Sequence, residues 1–131
     1  MLRCIKVLLV AAISLAIPAS VQAHEFHDEC RNYSAKMTVR CAAILQDPPG
    51  GVEKAVAVWE CESGFGQEYS HSDSYHGPFQ YMTSTYTGQR LMLDDVRRWF
   101  ELSPYVHDVR SNIVLAVAWA AHYDWGPWSC A

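Results

Sequence analysis

Val52-Glu53-Lys54-Ala55-Val56-Ala57-Val58-Trp59-Glu60-Cys61-Glu62-Ser63-Gly64 reads as one amphipathic helix that ends beside an acidic side chain. Gly51 precedes it, its apolar residues keep helical spacing, and Gly64 and Gly66 stop it, so a helix is expected over residues 52–63. At about 100° per residue, Ala55, Val58, Trp59 and Glu62 share one side of that helix. Glu60 is turned about 200° away from Glu62 and joins Glu53 on the far side, where solvent is its natural surrounding. A carboxylic acid on an apolar face has two readings. Burial disfavours its charged form and raises its pKa, as a general acid requires, or the side chain faces water past the last turn. Spacing alone leaves both open.

Upstream, Asp47-Pro48-Pro49-Gly50-Gly51 stops a helix and turns the chain. Before it, Ser34 is placed to cap a helix running to about Gln46, with Met37, Val39, Cys41, Ile44 and Leu45 as an imperfect apolar stripe. Downstream, residues 64–79 are rich in Gly, Ser, Tyr, His and Asp without a helical period, and read as a loop or small irregular β segment. Helical signals return over residues 83–92, 94–102 and 111–123. In the last, Ile113, Ala116, Val117, Ala120 and Ala121 keep helical spacing and Gly126-Pro127 marks the end. Short helices around one irregular polar segment make a mainly helical α+β domain. The Pro-Pro-Gly-Gly break divides it into an amino-terminal helical cap, residues 24–47, and a catalytic unit, residues 48–131.

The amino terminus carries Arg3 and Lys6, an apolar run over residues 5–17, then Pro18, Ser20 and the small-residue site Val21-Gln22-Ala23. This pattern is expected of a cleaved secretory signal peptide over residues 1–23, and later stretches fall short of the roughly 20 apolar residues of a membrane anchor. A secreted protein starting at His24 is the expectation. It keeps Cys30, Cys41, Cys61 and Cys130, an even set that in an oxidising compartment reads as two disulfides. In one unbroken helix Cys30 and Cys41 would lie about 16 Å apart, against the roughly 7 Å a disulfide tolerates. Either the chain bends near residues 32–34 or these two pair with the other cysteines. Eight basic against 14 acidic residues remain after the leader, a net charge of −6. Nucleic acid and anionic membranes are therefore not expected partners, and affinity for any polyanion must come from a groove with shape, aromatics and hydrogen bonds. A monomer is expected.

Cys61-Glu62-Ser63-Gly64, followed by His76-Gly77-Pro78-Phe79-Gln80-Tyr81-Met82-Thr83-Ser84-Thr85-Tyr86, resembles the lytic transglycosylase pattern. In that pattern Glu-Ser-Gly closes a helix and a Gly-x-x-Gln-x-x-x-x-Thr-aromatic segment follows. The Cys-Glu-Ser-Gly form looks especially like the transglycosylase-like domains of the resuscitation-promoting factors and their small secreted relatives. The resemblance spans about residues 52–130 and implies a lysozyme-like fold with Glu62 as catalytic acid and base. It implies that Gln80 hydrogen-bonds substrate, that Gly77 lets backbone approach the sugar, and that Tyr81 and Thr85 line the groove with Tyr86 in support. Pro78 and Thr83 depart from the family's usual large apolar residue and proline. Ala121-His122-Tyr123-Asp124-Trp125-Gly126-Pro127 is similar to a family segment whose tyrosine lies beside the glutamate, with Asp124 in place of asparagine. Tyr123 thus takes a supporting role or is a core or rim aromatic; an alternative alignment matches Asn112-Ile113 and Trp119 instead. The resemblance also implies a Cys61–Cys130 disulfide, which leaves Cys30 with Cys41.

The expected reaction is cleavage of the β-1,4 bond between N-acetylmuramic acid and N-acetylglucosamine in peptidoglycan, with one carboxyl group and no cofactor. Two alternatives stand beside it. A lysozyme-type hydrolase needs a second carboxylate, for which Asp73 is the candidate. A non-catalytic glycan-binding or signalling protein would hold strands through Tyr81, Tyr86, Trp125 and Trp128. His24, His27, His71 and His76 lack the spacing of a zinc protease motif, and no metal site is expected.

Overall fold

The computed structural model describes residues 30–64 and 74–131. The expected signal peptide, His24, His27, His71 and Asp73 lie outside the described residues. Within them are five helices: α1 (Ala35–Gln46), α2 (Gly51–Glu62), α3 (Thr83–Met92), α4 (Asp94–Trp99) and α5 (Val109–Tyr123). The β content among the described residues is one antiparallel bridge, His76 with Tyr81. The protein is mainly helical and carries two disulfides, Cys30–Cys41 and Cys61–Cys130.

α5 is the centre. Residues 111–118 and Ala120 are all buried, so this helix is covered on every side instead of presenting the single stripe that its sequence led us to expect. Its start is two residues earlier than expected because Asp108 caps it, Oδ1 accepting from Ser111 N–H at 2.7 Å. Its end is set by Asp124 in the left-handed region (φ 70°), ahead of Gly126-Pro127.

α1 packs against both α5 and α2, so the amino-terminal helix shares one core with the rest. Ser34 caps it as expected. The buried stripe is Ala35, Thr38, Val39, Ala42 and Ala43, not the larger side chains: small residues let α1 approach α5 closely, and Met37 and Ile44 face outward. Before α1 the backbone bends at Asn32 (φ 59°), which brings the Cα atoms of Cys30 and Cys41 to 5.6 Å. The bend is the outcome of the two the spacing allowed.

α3 and α4 cover another side of α5. α4 stops at Trp99, short of the expected Leu102, because Phe100 and Leu102 are both buried. Two residues apart on a helix they would point about 200° apart, and Glu101 at φ 47° breaks the helix so that both turn inward. Among the described residues no helix is long and apolar enough to cross a membrane.

Candidate functional site

Glu62 is the last residue of α2. Ala55, Val58 and Trp59, which share its face, are buried, and Glu62 itself is half-buried where that face meets solvent. Glu60 is exposed and pairs with Lys36 of α1 at 3.5 Å, on the far side as expected. Next to Glu62, Cys61 is bonded to Cys130, their Cα atoms 5.9 Å apart. That bond carries the carboxyl-terminal segment onto the acid: Cys130 N–H donates to Glu62 Oε1 at 3.0 Å and Ser129 Oγ donates to the same oxygen at 3.3 Å. Among the described residues nothing donates to Oε2.

Glu62 lies on the wall of an open cleft of about 510 Å³. Gln80 and Tyr81 line it from the hairpin, Met82 and Thr85 from the start of α3, and Trp128 and Ser129 from the tail. Residues up to 67 positions apart in sequence meet there. Tyr75 also lines the cleft, half exposed at its edge.

The hairpin owes its shape to local geometry and one distant anchor. His76 and Tyr81 exchange both backbone hydrogen bonds at 2.9 Å, and Gly77-Pro78-Phe79-Gln80 closes the turn, with Gln80 N–H donating to Gly77 O at 3.1 Å. Gln80 folds its own Nε2 onto Gly77 O at 2.8 Å. The anchor is Asn112 of α5, wholly buried. Its Oδ1 accepts from Phe79 N–H at 3.0 Å, and its Nδ2 donates to His76 O at 3.1 Å and Val106 O at 3.0 Å. Gly77 lies tight against this anchor. It does not line the cleft; a Cβ there would lie 2.7 Å from Asn112 Nδ2, and its φ of 73° is one that side chains rarely adopt.

Trp128 joins tail to hairpin, donating from Nε1 to Phe79 O at 3.0 Å and meeting the Tyr81 ring edge-on at 5.8 Å. Tyr81 presents little surface, and its hydroxyl donates to Gln89 Oε1 at 2.6 Å. Burial holds its phenol well above the ordinary tyrosine range.

Glu62, Gln80, Tyr81 and Thr85 thus come together. Tyr123 does not: it is 54% exposed, lies against Trp119 at 4.4 Å and does not line the cleft. Tyr86 and Trp125, considered as strand-binding aromatics, are core residues, with Tyr86 Oη donating to Ser103 O and Trp125 Nε1 to Pro49 O. Asp73 lies outside the described residues. The sequence reading passed over Ser129, Tyr75 and Met82, and met Asn112 only as an alternative alignment. An amide at the head of an otherwise apolar run, residues 113–118, was the available signal, because a buried amide needs partners.

No family model, curated protein or solved structure matches the chain. Among the described residues no group of three or more His, Cys, Asp or Glu side chains is placed to hold a metal ion.

Proposed function

We propose that this is an exported, lysozyme-like lytic transglycosylase that cuts peptidoglycan glycan strands with Glu62 as the acid. The observation that carries the reading is the position of Glu62 on the wall of a cleft that Gln80 also lines, with Cys130 N–H and Ser129 Oγ donating to Oε1 and, among the described residues, no donor on Oε2. Support also comes from the Cys-Glu-Ser-Gly and Gly-x-x-Gln segments, which the fold brings to one place, and from the mainly helical frame with two disulfides.

In the proposed reaction Glu62 gives its proton to the bridging oxygen as the bond to the muramyl C1 breaks and an oxocarbenium-like state forms. The carboxylate then takes the proton of the same sugar's C6 hydroxyl as that oxygen closes the anhydro ring on C1. The nucleophile is part of the substrate, so its proximity comes with binding. Glu62 is the one carboxylate among the described residues lining the cleft, which fits a mechanism that needs no second one.

The test is Glu62→Gln, which keeps the size of the side chain and removes the acid. Turnover of purified sacculi should fall at least about 100-fold, the scale of general acid catalysis, with an unchanged unfolding midpoint. Wild-type digests should carry anhydro-muramyl ends by mass spectrometry. Equal turnover by variant and wild type would remove the catalytic claim, and reducing ends would replace transglycosylation by hydrolysis.

A further inference from the structure

Peptidoglycan strands differ in what hangs from them, and the placement of charge in this protein bears on which strand fits. All eight Lys and Arg residues after residue 23 fall within the described residues, and none lines the cleft. Lys36 pairs with Glu60, Arg31 with Glu101, and Arg97 and Arg98 with Asp94. Arg90 and Arg110 are turned to the carbonyls of Leu102 and Phe100. Arg40 lines a separate groove on α1, and Lys54 packs at Gly50 where α2 begins. The segment between Gly64 and Ser74 contains no Lys or Arg in its sequence either. The cleft therefore offers a carboxylate, amide and hydroxyl groups, and the exposed apolar faces of Tyr75 (49%) and Met82 (45%) at its edge. Such a surface suits the faces and acetamido groups of neutral sugar rings. Among the described residues it holds no cation to pair with the several carboxylates that each peptide stem brings to a protein of net negative charge, whereas a stripped strand brings one per muramyl residue.

We infer, resting on the reading of Glu62 as the acid, that the preferred substrate is glycan stripped of its peptide stems. The reaction that supplies it is amide hydrolysis at the muramyl lactyl group, in which water splits the C–N bond, frees the amine of the peptide and leaves a single carboxylate on the sugar.

The experiment compares kcat/KM of the purified protein on two soluble, uncross-linked strand preparations, one with stems and one stripped by an amidase, at low salt and at about 0.15 M salt. Stripped strands should be cut about tenfold or more faster at low salt, and added salt should narrow the gap by screening the repulsion. Met82→Lys, an exposed change at the edge of the cleft, should raise turnover of stem-bearing strands several-fold and that of stripped strands less. Equal or faster turnover of stem-bearing strands at low salt overturns the inference while leaving the role of Glu62 in place, as does a Met82→Lys variant that leaves the ratio of the two unchanged. Failure to cut either preparation overturns both.

Discussion

A buried amide with three backbone partners cannot be replaced quietly. Asn112→Ala leaves Phe79 N–H and Val106 O without their partner, while His76 O keeps Tyr81 N–H, and each unpaired buried group costs about 1–3 kcal/mol. Stability in urea should therefore fall by about 2 kcal/mol or more, and any activity should fall with it because the turn bearing Gln80 loosens. Gly77→Ala pushes a methyl against the same amide and should cost about 1–3 kcal/mol in the same assay. Tyr86 gives a prediction in pH. Burial, aided by the charge of Asp108 and opposed by the Ser111 hydroxyl and Arg90, pushes its phenol from 10.0 up to about 12. A raised folded-state pKa means that the protonated phenol favours folding. That contribution is complete below about pH 10 and is lost as pH climbs through about 12. Urea midpoints should decline across this window, and Tyr86→Phe should flatten the decline without abolishing it, since Tyr81 is shifted in the same direction.

Helix ends follow from short-range chemistry, and they were the most legible part of the sequence. Ser34, the Pro-Pro-Gly-Gly break and the limits of α3 stand where local rules put them. The Asp108 cap shows what such an end contributes: Asp108→Ala should lower stability by about 1 kcal/mol, read from the urea midpoint, whereas Asp108→Asn keeps the acceptor and should change little. Misreadings arose where packing partners chose between faces. On α1, size in the sequence favoured Met37 and Ile44, yet the alanines are the buried side, where small side chains suit packing against two helices at once. On α4, the need to bury both Phe100 and Leu102 overrode a pattern that would have continued the helix. The site divides in the same way. Glu62, Gln80 and Thr85 belong to two short motifs and line one cleft, but the anchor of the hairpin bonds across 33 residues and no local pattern announces such a contact.

At the scale of the whole molecule the two disulfides do different work. Cys61–Cys130 spans 69 residues and sets the Cys130 N–H on Glu62, while Cys30–Cys41 spans 11 and braces the entry to α1. In the chain-entropy picture the first contributes about 4 kcal/mol and the second about 3 kcal/mol. Paired serine variants should reflect this: Cys61→Ser with Cys130→Ser loses stability and activity together, and Cys30→Ser with Cys41→Ser loses stability while kcat/KM below its lowered melting temperature stays near wild type. Thermal unfolding with parallel strand-cleavage assays checks both.

The hydrogen bond from Cys130 to the acid also bears on how the protein is handled. Anything fused behind Ala131, a purification handle or a fluorescent reporter, begins two residues from the Cys130 N–H that donates to Glu62 Oε1. Such a handle pulls on that donor, so a flexible spacer belongs between it and Ala131.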